Sequence, residues 1–142
     1  MFTRRSFVAA LALGLAFALL TGAPAARAAP PAVEIIALSH WPVQDALKPV
    51  REFLATLSGR VKVVELDAES PAGEKRLSAI GLKGHVPMAL LIDGGDKFKR
   101  PDGTSVEFKD FPAKANNPLG LNGTWTVDDF KAAVNAALAA EK

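Results

Sequence analysis

Few side chains of this 142-residue sequence are of types that bind metal ions or carry out nucleophilic catalysis. There are two histidines, His40 and His85, and Met88 stands three positions after the second of them. Imidazole and thioether groups together suit copper, and imidazole alone suits zinc or nickel. These three residues are therefore candidate ligands of a copper or zinc ion. The alternative is that both histidines are partly exposed loop residues and Met88 fills a gap in the core, because two histidines fall short of the ligand number of a tight site.

The sequence contains no cysteine and no tyrosine. Disulfide frameworks, cysteine zinc sites and every thiol mechanism are excluded, because the thiolate is the chemical agent in all of them. Ser39 and His40, with Asp45 nearby, are unsuited to a hydrolase triad, because adjacent residues on an extended segment point to opposite sides. The Gly-x-Ser-x-Gly turn of many hydrolases is also missing. We therefore expect no enzymatic activity.

The N-terminal segment is typical of a bacterial signal peptide. Arg4 and Arg5 precede an apolar stretch over 7–20, and Ala26-Arg27-Ala28 is a small-x-small cleavage site. As a helix this stretch would span about 21 Å, less than a hydrocarbon core of about 30 Å. The arginine pair also resembles a twin-arginine export motif, which we favour over general secretion. We predict cleavage after Ala28, a periplasmic or secreted product, and only transient membrane contact through the signal.

The basic character of the full sequence belongs to this segment. Removal of residues 1–28 takes away three arginines and reduces the 17 basic side chains to 14, against 15 acidic ones, so the net charge changes from +2 to −1. The remainder has no run of lysine and arginine interleaved with aromatic residues, and a nucleic-acid partner is therefore not expected. We assign residues 29–32 to a short Pro/Ala lead and residues 33–142 to one domain.

Short apolar runs alternate with helical patterns through the domain. The apolar runs predict buried strands at 33–38, 61–66 and 88–92. Apolar residues at spacings of three and four predict an amphipathic helix between Val43 and Leu57. Pro49 lies inside this pattern, and we expect it to kink the helix rather than divide it into two.

The remaining elements have clear start signals. Ser70 followed by proline predicts a helix, because serine caps the first turn and proline is favoured at the first helical position. A Pro-Asp-Gly turn predicts a hairpin between 97–99 and 106–108. The segment 111–124 is rich in Pro, Asn and Gly and completes a long loop region at about 99–124, and the capping-box pattern at Thr126 begins the last helix. The order is strand, helix, strand, helix, strand, strand, helix, which indicates an α/β domain.

A glycine-flanked loop, a proline, an apolar strand and a glycine turn succeed one another between Gly81 and Gly95. In this order they resemble the thioredoxin family, whose members carry a cis-proline at the position of Pro87. Placing Pro49 on the proline that kinks the family's active-site helix aligns Ala37 to Pro49 without a gap. The resemblance implies a thioredoxin-like fold with a central mixed sheet of about four strands flanked by helices, and a cis bond between Val86 and Pro87.

The same resemblance assigns positions in the site. Trp41 falls on the family's nucleophilic cysteine, Gln44 on the resolving cysteine and Ile35 on the buried acid that assists proton transfer. An indole and a carboxamide form no mixed disulfide, so the resemblance implies a member without redox activity. It also places His40 and His85 on two loops that face each other.

We therefore expect a non-catalytic, exported module that binds an unidentified periplasmic protein or peptide. The positions expected to form its binding surface are His40, Trp41, Pro42, Gln44, His85, Val86 and Pro87, together with the inserted loop at about 116–122. The ring of Trp41 either stacks on a bound peptide or folds back over its own helix as a lid. No cofactor is expected for this function. The alternative function is copper or other metal handling by His40, His85 and Met88.

Overall fold

The computed structural model of the protein describes residues 29–140. The predicted signal peptide and its cleavage after Ala28 lie outside the described residues. Within 29–140, no helix is long and apolar enough to cross a membrane. The first strand begins at Ala32, inside the predicted lead, and the carbonyl of the buried Pro31 accepts a hydrogen bond from the Lys62 amide at 2.8 Å.

Strands and helices follow one another in the predicted order, except that the first helix is divided. The elements are β1 Ala32–Ala37, α1 Val43–Ala46, α2 Lys48–Thr56, β2 Lys62–Asp67, α3 Pro71–Ala79, β3 Met88–Ile92, β4 Lys97–Lys99, β5 Ser105–Glu107 and α4 Val127–Ala140. The α/β class and the thioredoxin-like succession of elements are thereby confirmed.

The prediction of one kinked first helix is wrong, because α1 and α2 are separated at Leu47. Pro49 has no N–H and cannot donate to the carbonyl four residues before it, which interrupts the helical hydrogen bonds there. The amide of Leu47 still donates to the Val43 carbonyl at 3.2 Å, and the Arg51 amide donates to the Leu47 carbonyl at 3.0 Å. The apolar side chains consequently stay in phase across the break, and Val43, Leu47 and Val50 are fully buried.

The central sheet has three strands in the order β2-β1-β3, with β1 parallel to β2 and antiparallel to β3. The expected sheet of about four strands is therefore corrected to three, and β4 and β5 form a separate hairpin. The chain after β5 follows the edge of β3 with isolated hydrogen bonds, from the Leu90 amide to the Phe108 carbonyl at 2.8 Å and from the Asp110 amide to the Met88 carbonyl at 3.0 Å. Asp110 has a φ of 61°, which is incompatible with continued strand geometry.

Helices cover both faces of the sheet. Adjacent residues of a strand point to opposite faces, and in β1 the carboxylate of Glu34 meets Arg76 of α3 while Ile35 lies on the side of Arg51 in α2. The core contains four of the six residues of β1 and four of the five residues of β3, and it extends into the long loop.

Three aromatic residues hold the long loop against the last helix. The ring of Phe108 stands edge-on to Trp125 at 5.8 Å and to Phe130 at 5.7 Å between ring centroids. The indole N–H of Trp125 donates to the carbonyls of Lys109 and Asp110. These packed and hydrogen-bonded rings fix the segment that leads from the hairpin to α4.

Candidate functional site

The segment between β1 and α1 forms a protruding tip. Trp41 is 70% exposed and His40 is exposed, whereas Pro42 is buried beneath them. The carbonyl of His40 accepts hydrogen bonds from the amides of Val43 and Gln44, at 3.1 and 3.3 Å, which closes the first turn of α1. The ring nitrogen Nδ1 of His40 lies 3.2 Å from the Trp41 carbonyl. The tip therefore has a hydrogen-bonded backbone and an unburied indole.

The prediction of a cis bond between Val86 and Pro87 is wrong, because the cis peptide bond lies between Trp41 and Pro42. Pro87 instead extends the antiparallel pairing of β1 and β3. Its carbonyl accepts a hydrogen bond from the Leu38 amide at 2.9 Å, one pair beyond the last residues of the two strands. Pro87 is thus part of the antiparallel pairing between the β1 and β3 segments.

The side chain of Gln44 takes part in a hydrogen-bond network. Its side-chain amide donates to the Leu38 carbonyl at 2.6 Å, and its carbonyl oxygen accepts a hydrogen bond from Arg51 at 2.9 Å. Arg51 also makes a bidentate pair with Glu65 at 3.0 and 2.8 Å. The hydrogen bond with Glu65 raises the pKa of Arg51 above its ordinary value. Ile35, Gln44 and this ion pair line the same small cavity of about 180 Å³.

Ser39 and His40 bind different partners. The Ser39 hydroxyl donates to a carboxylate oxygen of Asp67 at 2.8 Å, whose other oxygen accepts the Glu69 amide at 3.0 Å. These two hydrogen bonds, the one from Glu69 foremost, hold the pKa of Asp67 below its ordinary value. Asp67 thus fixes the turn after β2, and no nucleophile–base pair of Ser39 with His40 is formed.

The loop before β3 carries the other predicted binding residues. His85 is exposed, Val86 is half-buried and Pro87 is buried. Gly81 and Gly84 have φ values of 79° and 83°, which only glycine adopts without strain, so they shape the loop. An open cleft of about 450 Å³ lies between this loop and α3.

Sequence reasoning missed this cleft. Its polar lining includes Glu69, Glu74 and Lys83, which come from a turn, a helix and a loop, and no spacing in the sequence relates them. One signal was available in α3. Gly73 is buried in the first turn, and a Cβ atom there would overlap the carbonyl oxygen of Asp67. A glycine at this position is therefore consistent with close packing of α3 against the end of β2.

The predicted metal ligands lie in different surroundings. Met88 is fully buried in β3, where it pairs with Ala37, whereas His40 and His85 are exposed. In the described part of the chain, no three His, Cys, Asp or Glu side chains are grouped closely enough to hold an ion. The metal site remains a prediction, and in the structure Met88 is a core residue.

A second cavity, of about 320 Å³, lies beside the tip between the α1–α2 break and the long loop. Pro42, Pro49 and Pro112 contribute apolar walls, and Asp45 and Lys114 contribute charge.

Further along, the long loop is closed by backbone hydrogen bonds. The Phe111 amide donates to the Leu121 carbonyl at 2.9 Å, and the Gly123 amide donates to the Phe111 carbonyl at 2.7 Å. Leu119 and Leu121 are 48% and 39% exposed. The loop therefore presents apolar side chains on a fixed backbone.

No protein-family model and no curated protein sequence matches the chain. Among solved structures, it is similar to the crystal structure of the Trx4 domain of ERdj5, with 12% sequence identity and a TM-score of 0.44. The likeness covers 78% of this chain and 82% of that one. The order of elements and the β2-β1-β3 sheet make residues 29–140 a mixed α/β domain, and the sequence contains no cysteine.

Proposed function

We propose that this domain is an exported, redox-inactive module that binds a protein or peptide at the tip surface, which we define as His40, Trp41 and Pro42 with His85 and Val86. The observation that carries the proposal is the 70% exposure of Trp41, at the position that the resemblance aligns with the nucleophilic cysteine of the thioredoxin family. Large aromatic side chains bury 150–250 Å² each when covered, so an uncovered indole is a strong anchor for a partner.

Trp41 is an exception among the aromatic residues that the structure describes. Every other Phe or Trp within 29–140 is buried or half-buried. Tryptophan is enriched among the few interface residues that dominate binding energy, where its removal costs about 2 kcal/mol or more. An isolated exposed leucine needs no explanation, but a 70% exposed tryptophan at the end of a buried strand supports a binding role.

The backbone beneath Trp41 is already ordered. Val43 and Gln44 donate to the His40 carbonyl, and the Gln44 side chain ties α1 to the end of β1 through Leu38. A partner therefore does not have to order this segment on binding, which removes one of the main entropic costs of association.

The cavity of about 320 Å³ beside Pro42 supports the same proposal. Its walls are largely proline and alanine, so it can accept an apolar side chain of a segment that stacks on Trp41. Without cysteine, this surface cannot hold a partner through a mixed disulfide, so the proposal is one of non-covalent binding.

The test uses peptides selected from a random phage-displayed library on the purified protein. The selected peptides are synthesised and titrated by calorimetry against wild type, Trp41→Ala and Val63→Ala. Val63 is a matched control, because it is 41% exposed and lies on β2, outside the tip surface. We expect Trp41→Ala to weaken binding at least tenfold and Val63→Ala to leave it unchanged. Equal weakening by both variants, or no enriched peptide, contradicts the proposal.

Export is tested separately, on the sequence of residues 1–28. The secreted or periplasmic protein should begin at Ala29 when its N-terminus is determined by mass spectrometry. Replacement of Arg4 and Arg5 by lysine should block export through a twin-arginine route, whereas unchanged export with the same N-terminus would indicate general secretion.

A further inference from the structure

The cleft of about 450 Å³ between α3 and the loop before β3 has the size of a ligand site, for which volumes of about 300–1,000 Å³ are usual. We call it the α3 cleft. Its apolar walls come from Leu77 of α3, from Leu82 and Val86 of the loop, and from Leu38 at the end of β1. Charged side chains also line the cleft, so its surface is partly apolar and partly charged.

Two carboxylates and one ammonium group line the α3 cleft. Glu69 and Glu74 contribute the carboxylates and Lys83 the ammonium, with the imidazole of His85 beside them. None of the three charged side chains takes part in an ion pair with another residue of 29–140, although seven such pairs exist elsewhere in that range. Because negative charge exceeds positive charge, the lining favours a cation over an anion.

The walls of the cleft are held in place without a ligand. On one side the amides of Gly81 and Leu82 donate to the carbonyls of Ser78 and Leu77, both at 3.0 Å, which fastens the loop to the end of α3. On the other side the Leu38 amide donates to the Pro87 carbonyl, as described above. The backbone of the cleft is therefore preformed, and a ligand meets apolar walls in position and two carboxylates that have no ion-pair partner within 29–140.

We propose that the α3 cleft binds a lysine or arginine side chain of the peptide that the tip surface holds. The aliphatic stem lies against Leu77 and Leu82, and the cationic head lies near Glu69 and Glu74, as long basic side chains commonly divide between apolar and charged surroundings. This inference rests on the proposed function, since His85 and Val86 belong both to the cleft and to the tip surface.

The experiment compares two peptides on the purified protein. One is a selected tip-binding peptide that carries arginine, and the other has citrulline, the neutral analogue of arginine, in its place. Affinities are measured by calorimetry for wild type, Glu69→Gln/Glu74→Gln and Glu52→Gln. Glu52 is an exposed carboxylate of α2 that does not line the cleft, so its variant is the matched control.

We expect wild type to prefer the arginine peptide about tenfold, because each exposed ion pair contributes a few-fold to affinity. Glu69→Gln/Glu74→Gln should abolish the preference and Glu52→Gln should keep it. Lys83→Met should increase affinity for the arginine peptide two- to fivefold, since it removes the one like charge. Equal binding of the two peptides to wild type, or a preference that persists without both carboxylates, overturns the inference.

Two further arms separate this inference from the proposed function. Trp41→Ala should weaken both peptides equally and preserve the preference for arginine, so a loss of preference there would contradict an independent cleft. Agmatine, a free guanidinium compound, is titrated while the amide signals of Ser78, Gly84 and His85 are followed by NMR. If agmatine binds as tightly as the peptide, the ligand of the cleft is a free small cation and not a side chain of a bound peptide, and the inference is overturned.

Discussion

Asp129 at the start of α4 offers a quantitative test of how the long loop is held. Its carboxylate pairs with Arg100 at 2.8 and 2.7 Å, and also accepts hydrogen bonds from the amide and hydroxyl of Thr126. The bond from Arg100, followed by those from Thr126, lowers the pKa of Asp129 from 3.8 to about 2. The Asp129 side chain is only 11% exposed, so these interactions are partly shielded from solvent.

The lowered pKa fixes both the size and the pH window of the effect. At about 1.4 kcal/mol per pH unit, the change in pKa corresponds to about 2 kcal/mol of stability in favour of the ionised, folded state. A carboxyl group whose pKa is lower in the folded state contributes this stability above the unfolded pKa. The contribution is then lost as the pH falls from about 4 to about 2.

Asp129→Asn should therefore lower the free energy of unfolding by about 2 kcal/mol at pH 7, and the difference from wild type should disappear towards pH 2. Urea denaturation followed by circular dichroism at several pH values measures this. The control is Asp128→Asn, whose side chain is 93% exposed and lies 3.7 Å from Lys131, and it should change stability by less than about 0.5 kcal/mol. An Asp129→Asn effect as small as the control's, or one that persists unchanged at pH 2, would refute the reasoning.

Three further outcomes follow from the geometry. Iodide should quench the fluorescence of Trp41, which is 70% exposed, but not that of Trp125, which is fully buried. The Trp41→Phe variant should therefore emit fluorescence that iodide does not affect. Quenching that remains in this variant would contradict the exposed tip. Gly73→Ala should destabilise the domain by about 2 kcal/mol in urea denaturation, because the added Cβ overlaps the backbone carbonyl at the end of β2, and an unchanged midpoint would disprove that close packing. In titrations with copper or zinc, we expect no binding tighter than micromolar that depends on the two histidines. Tighter binding that is lost in His40→Ala/His85→Ala would favour the metal alternative.

Most of the fold was predictable because its elements carry local signals. The Ser70 hydroxyl accepts the Gly73 amide at 3.1 Å as the N-cap of α3, as the serine–proline pattern indicates. The second strand of the hairpin occupies 105–107, one residue earlier in the chain than the predicted 106–108. An error of one residue is usual for an element boundary that is predicted from sequence. Local patterns of this kind depend on residues close together in sequence, so they indicate the same element whatever the rest of the fold is.

The parts that failed depend on residues distant in sequence. Arg51 and Glu65 are 14 positions apart and Arg100 and Asp129 are 29 apart, and no periodicity brings such pairs together. The same limitation hid the α3 cleft, whose charged lining is assembled only by the packing of α3 against the loop.

The central claim is that the exposed indole of Trp41 anchors a bound segment. The most direct measurement is the ratio of dissociation constants for one selected peptide between Trp41→Ala and wild type, with Val63→Ala as reference. A ratio of about 30, equivalent to about 2 kcal/mol, is predicted for the loss of an aromatic anchor. A ratio near 1, with both variants folded, would contradict the account.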